Sequence, residues 1–238
     1  MDFREALSEG LKEMGLVLPA GAEKQMAGYY GLLTAAAATM NLTGIREPAA
    51  VAEKHFLDAL ALLLRVSFRP GERLLDVGSG AGIPGIPIGI AVPETEVVLL
   101  EAVRRKVVFL EEVVARLSLR NIAVVWGRAE EYGRREGYRE AFDWVVARAV
   151  APLRELVEYA LPFVRLGGRF VAYKGPKGEE EAKAAARAIT VLGGVLQGVE
   201  EYRLPLREDR RCLVVVSKEG PTPLRYPRRA GVPRKKPL

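Results

Sequence analysis

The sequence predicts an α/β protein in which a helical N-terminal segment leads into a mostly parallel sheet closed by an antiparallel pair. Three observations carry this expectation. Apolar residues recur three and four apart as far as about Ser67. Beyond Arg69-Pro70-Gly71, short apolar runs alternate with amphipathic helical stretches. The last two runs are joined by a link too short for a crossover helix. With 238 residues, the chain holds one large domain or a main domain with a small accessory. The expected division is a helical cap over 1–68, a sheet domain over 69–220 and a basic, proline-rich tail over 221–238.

In chain order, helices are expected over 3–16, over 22–40 behind Pro19, and over 47–66. The first strand is RLLDV (73–77), followed by the apolar GIPIGIAV (85–92) and a second strand, EVVLLE (96–101). A helix over 103–119 leads to IAVVW (122–126), and DWVVAR (143–148) precedes a helix over 152–164. GGRFVAYKG (167–175), a helix over 179–193, and the strands VLQGVEEYRL (195–204) and RCLVVVSKE (211–219) complete the pattern. The seven strands alternate with helices as a parallel sheet with crossovers requires, and the charged link before RCLVVVSKE suits an antiparallel return.

Composition removes several function classes. At 49% hydrophobic and 28% charged residues the chain buries a real core, and no apolar run approaches the roughly 18 residues of a bilayer span. Its N-terminus lacks the basic flank and apolar run of a targeting peptide, so a cytoplasmic protein is expected. A single cysteine, Cys212, in an apolar strand, and a single histidine, His55, leave no disulfide, no Cys/His zinc cluster and a poor basis for covalent catalysis. The net charge of +6 lies entirely in residues 221–238, which carry six basic side chains and no acid. Five prolines there disfavour helix and suit an extended or locally ordered arm following a phosphate backbone.

The strongest local signal is Asp76-Val77-Gly78-Ser79-Gly80-Ala81-Gly82-Ile83-Pro84-Gly85, directly after the first strand. Gly78, Gly80 and Gly82 let the backbone turn tightly and approach a nucleotide. Asp76 suits a ligand with an ammonium and a sulfonium better than one with a pyrophosphate. Glu101, 23 residues after Gly78, is placed for ribose hydroxyls. The frame Gly80-x-Gly82-x-x-Gly85 also fits a dinucleotide fingerprint, which keeps a nucleotide-dependent oxidoreductase as an alternative. Ala129-Glu130 follows the third strand, where an adenine ring would lie, and Arg148 ends the fourth at the same carboxyl edge.

DVGSGAGIPGIP, with NLTGIRE and KHFLDA upstream, VVARAVA and VAYKG downstream, and the ending RYPRRAGVPRKKPL, together resemble the RsmG (GidB) family of bacterial small-subunit rRNA methyltransferases. The resemblance implies a class I Rossmann-like fold with S-adenosylmethionine as donor. It also implies methylation of guanine N7 in the decoding-region loop of 16S rRNA, free or in the small subunit, by a monomer. The family's cofactor contacts fall on Gly78, Ile83, Glu101, Ala102, Val103, Ala129, Glu130 and Arg148, and its His-x-x-Asp-Ser pattern on His55, Asp58 and Ala59, so the serine is absent. His55 and Asp58, three apart on a helix, are expected to orient one another near the substrate. Guanine N7 carries a free lone pair, so transfer needs alignment and no general base, in keeping with the scarcity of His and Cys. Arg148 is the expected catalytic residue. It and Lys174 are candidates to grip the base edge or a phosphate, and Arg225, Arg228, Arg229, Lys235 and Lys236 to contact RNA. Arg104 to Lys106, Arg134, Arg135, Arg207, Arg210 and Arg211 would add backbone contacts. A non-catalytic RNA-binding assembly factor is the third reading.

Overall fold

A computed structural model describes all residues, 1–238. Helix α1 (Phe3–Glu13) starts in a capping box: Asp2 accepts from the Arg4 and Glu5 amides, and Glu5 accepts in return from the Asp2 amide. Its apolar face, Phe3, Ala6, Leu7 and Leu11, packs with Met26, Tyr29 and Leu33 of α2 (Ala22–Ala37). The third helical stretch, α3 (48–64), is not one regular helix. It runs as α-helix over Pro48–Val51, π-helix over Ala52–Leu57, α-helix over Asp58–Leu60 and 3₁₀-helix over Ala61–Leu64. A π turn inserts a residue into the helical circuit and re-aims the side chains beyond it. Here it falls on Glu53, Lys54 and His55, and Glu53 accepts from the Leu206 and Arg207 amides, clamping the charged link between the last two strands to the cap.

Seven strands make the sheet: β1 (Arg73–Val77), β2 (Glu96–Glu101), β3 (Ile122–Trp126), β4 (Phe142–Arg148), β5 (Val164–Lys174), β6 (Gly194–Arg203) and β7 (Arg210–Lys218), ordered β3-β2-β1-β4-β5-β7-β6. β1 to β5 are mutually parallel, and β7 alone is antiparallel to both neighbours. β5 starts at Val164, three residues before the expected Gly167, because Val164 pairs with Phe142 ahead of an irregularity in the ladder. GIPIGIAV forms the buried helix α4 (Gly85–Ala91), and α5 (Arg104–Arg116), α6 (Ala129–Tyr132), α7 (Leu153–Ala160) and α8 (Gly178–Val191) complete the crossovers. The cap, α4 and α5 cover one sheet face, while α7 and α8 cover the other. Because the chain winds outward from β1 to β3 and restarts at β4, a crevice opens above the carboxyl ends of β1 and β4. No helix is long and apolar enough to cross a membrane.

The basic tail is folded onto the sheet domain. Prolines remove amide donors and leave carbonyls to satisfy, and two arginines supply the protons. Arg134 donates to the carbonyls of Leu224, Arg225 and Pro227, and Arg139 to those of Thr222 and Tyr226. The segment ends in the short helix α9 (Val232–Lys235). Arg228, expected on RNA, is instead paired with the buried Glu158, because a carboxylate taken out of water needs a cation beside it. Arg134 likewise commits its guanidinium to the protein's own backbone.

Candidate active site

Residues 78–82 are held by Leu100, whose carbonyl accepts from the Gly78 and Ser79 amides, and by Ser79, whose carbonyl accepts from the Gly82 amide. Gly78 sits at φ +71, and a Cβ there would stand 2.9 Å from Val150. Only glycine passes both conditions. Glu101 fixes the turn's outer side: its Oε2 accepts from the Gly80 amide at 2.8 Å and its Oε1 from the Val103 amide at 2.7 Å.

Above this turn lies a cleft of ≈ 680 Å³, the size of a cofactor site. Gly78, Glu101, Ala102, Ala129 and Glu130 line it. Gly80, Gly82, Ile83 and Val103 do not: they shape the turn and hold Glu101. Asp76 does not reach the cleft either. Side chains alternate along a strand, so Val77 faces the cleft while Asp76 points under the turn, where its Oδ2 accepts from the Gly85 amide at 2.9 Å. Its other oxygen is buried without a partner, and this burial pushes the carboxyl up to about 7. Asp76 thereby occupies the start of α4, where a dinucleotide's pyrophosphate would sit. Gly85 is packed against Leu99, so the Gly80-x-Gly82-x-x-Gly85 frame is not an open phosphate loop.

Lys106, Arg128, Glu155, Tyr159, Gly231 and Arg234 also line the cleft. Sequence reasoning did not place these in the cleft. Glu155 and Tyr159 lie four apart on α7, and Tyr159 donates to Glu155 at 2.6 Å, a spacing legible in the sequence. Gly231 and Arg234 come from the tail and carried no local signal.

A second cavity of ≈ 410 Å³ adjoins the first and shares Ala149 with it. His55, Asp58, Arg148 and Lys174 line it, together with Lys54, Tyr173 and Arg211. Arg148 therefore faces this cavity and not the first, since Ala149, at φ +57, reverses the chain just beyond it. Arg148 donates to Asp58 at 2.8 Å and to the Lys54 carbonyl at 2.6 Å, and its Nη2 lies 3.1 Å from His55 Nδ1. His55 and Asp58 do not touch directly; Arg148 bridges them. His55 Nδ1 also lies 3.1 Å from the Lys54 carbonyl, and its Nε2 lies 2.7 Å from Thr43 Oγ1, so both ring nitrogens are engaged within the protein. Burial, then the nearby Arg148, lower the His55 pKa to about 4, which keeps the ring neutral. Tyr202 donates to the remaining Asp58 oxygen, and Tyr173 to the carbonyl of Ala59. Lys174 is held by Glu181 and the Ala151 carbonyl. The tail's Arg225, Arg229, Lys235 and Lys236 remain exposed outside both cavities.

The cleft suits S-adenosylmethionine by its chemistry: the Glu101 carboxylate beside a glycine turn for the ribose, the Cβ-free backbone of Gly78 in its wall, and both charge signs for a zwitterionic end. The crystal structure of cofactor-bound Rv0187 from MTB superposes with a TM-score of 0.55 at 19% identity, covering 83% of this chain and 91% of that one. With the strand order and turn described above, the chain has the fold of the class I S-adenosylmethionine-dependent methyltransferases. The family model for GidB, rRNA small subunit methyltransferase G, matches residues 22–210. The ribosomal RNA small subunit methyltransferase G of Pelotomaculum thermopropionicum is 47% identical over 98% of each chain. That of Moorella thermoacetica is 45% identical over 95% of each. The chain belongs to the GidB family.

Proposed function

We propose that this chain methylates N7 of a guanine in the decoding-region loop of 16S rRNA, as a cytoplasmic monomer acting on the RNA or the small subunit. In this reading the donor lies in the larger cleft and the guanine enters the second cavity. The observation that carries the reading is that the two cavities meet at Ala149, so a donor and an acceptor seated in them share one wall. S-adenosylmethionine supplies the methyl group on a sulfonium.

Gly78, Glu101, Ala102, Ala129 and Glu130 hold the donor. Arg148 positions the acceptor by locking the π turn of α3, through Lys54, His55 and Asp58, against the end of β4. With its donors so engaged, it leaves the guanine N7 lone pair free. Lys174 and Arg211 face the same cavity and supply cations for guanine O6 or a flanking phosphate. His55, neutral and bonded at both ring nitrogens, is no general base, and N7 has no proton for one to take. The protein's contribution is alignment in a preorganised pocket.

The test is to incubate the chain with labelled donor and small subunits lacking the modification, then treat the RNA with borohydride and aniline. A cationic 7-methylguanine gives strand cleavage at one position. Labelled RNA that resists cleavage would refute the N7 assignment.

A further inference from the structure

Arg228 is the most heavily bonded residue of the C-terminal segment. Its backbone amide and Nε donate to Glu158 Oε1 at 2.8 and 2.9 Å, and its Nη2 donates to Glu158 Oε2 at 2.5 Å and to the Lys236 carbonyl at 2.8 Å. Glu158 is 1% exposed and lies on α7, whose Glu155 and Tyr159 line the donor cleft. On the other side of the segment, the Gly231 amide donates to Glu130 Oε1 at 3.2 Å, and Gly231 and Arg234 line the same cleft. The segment therefore spans the cleft's mouth from α7 to the end of β3, tied down at both sides.

We propose that residues 228–235 form a wall of the donor site, with Arg234 touching the donor and Arg228 acting as a positioning residue through its pair with Glu158. This rests on the reading that the larger cleft holds the donor. Its chemistry comes from placement. β3 ends at the adenosine side of such a site, and Glu130 serves both the tail and the cleft, so the segment meets the donor's adenosine end. Charge supports a contact by Arg234, which is exposed and has no partner within the protein, beside a cleft that carries Glu101, Glu130 and Glu155. Two purposes thus divide the tail's cations: Arg228 and Arg234 serve the donor site, and the exposed remainder faces outward.

The proposal is tested by calorimetric titration of the full-length chain with S-adenosylhomocysteine, well below the melting temperature. Arg234→Ala removes an exposed side chain and is expected to weaken binding about tenfold, the loss of one charge-assisted bond, at an unchanged thermal midpoint. Arg228→Ala leaves Glu158 buried and unpaired and is open to misfolding. The double variant Arg228→Ala with Glu158→Ala removes both charges, and is expected to fold and to bind at least about tenfold more weakly. Arg228→Lys is expected to restore part of the loss. A merely structural role would lower the thermal midpoint and leave the affinity of the folded chain alone. Affinity within twofold of the parent in the double variant would overturn the wall, and the same result for Arg234→Ala would overturn its contact. Glu101→Ala is the control: if it too leaves binding unchanged, the cleft assignment fails, and not only the inference built on it.

Discussion

Asp76→Asn probes the carboxyl beneath the glycine turn. Asp76 is fully buried, its Oδ2 accepts from the Gly85 amide, and its Oδ1 has no partner. Desolvation is the main cause of its pKa rising from 3.8 to about 7. Because the folded-state pKa exceeds the unfolded one, the folded chain binds more protons between these values. The contribution of this group is complete below pH 3.8 and is lost as pH rises through about 7. At about 1.4 kcal/mol per tenfold, the charged carboxylate withholds about 4 kcal/mol from the native state above pH 8. Asparagine cannot ionise and keeps an acceptor for Gly85. Its amide places a donor near the site of the unpartnered oxygen, at a cost of about 1–3 kcal/mol that is the same at every pH. The variant is therefore expected to gain on the parent by about 4 kcal/mol between pH 4 and 8. The assay is urea denaturation of both chains in half-unit steps over that range. His55, whose lowered pKa gives a slope of opposite sign, is present in both chains and cancels in the difference. Parallel stability curves would show that Asp76 is ionised in the fold and would refute the reasoning.

Other expectations concern the acceptor side. Single-turnover methyl transfer with saturating donor and RNA is expected to stay nearly flat from mildly acidic to mildly alkaline pH. Guanine N7 does not titrate there and His55 is neutral above about 4; a slope of one would refute it. Arg148→Ala strands the buried Asp58 carboxylate, 3% exposed, and is expected to cost about 3–5 kcal/mol of stability by urea denaturation as well as slowing transfer. A loss below about 1 kcal/mol would show that the ion pair is solvated. Alanine at each of Arg225, Arg229, Lys235 and Lys236 that touches phosphate is expected to reduce the slope of log RNA affinity against log salt by about 0.7. An unchanged slope in the fourfold variant would exclude all four from the RNA contact.

Features written in contiguous residues were legible from the chain alone. Period-2 and period-3.6 apolar patterns placed the seven strands and most helices. A glycine turn after RLLDV and an acid at the end of EVVLLE marked the end of the sheet where the larger cleft lies, because turn chemistry and strand ends are local properties. The motif order from NLTGIRE to the tail was enough for the family. Local pattern was silent on the π turn in 47–66, since an i→i+5 circuit leaves no periodic mark in so short a stretch.

Contacts between distant residues were decided only by the tertiary structure. Arg148 bridges His55 and Asp58, some ninety residues earlier, because burying Asp58 demands a cation and β4 ends where α3 crosses it. Asp76 belongs to the turn's support and not to the ligand, because strand alternation gives the cleft to Val77. The tail, which in sequence is a run of charge and proline, folds because its carbonyls find Arg134 and Arg139, and Arg228 finds Glu158. Sequence by itself determined the fold class and the chemistry of the donor, since both reside in short-range pattern. Which cations are engaged inside the protein and which stay exposed was settled by burial, since a charge leaves water only where the folded chain supplies its partner.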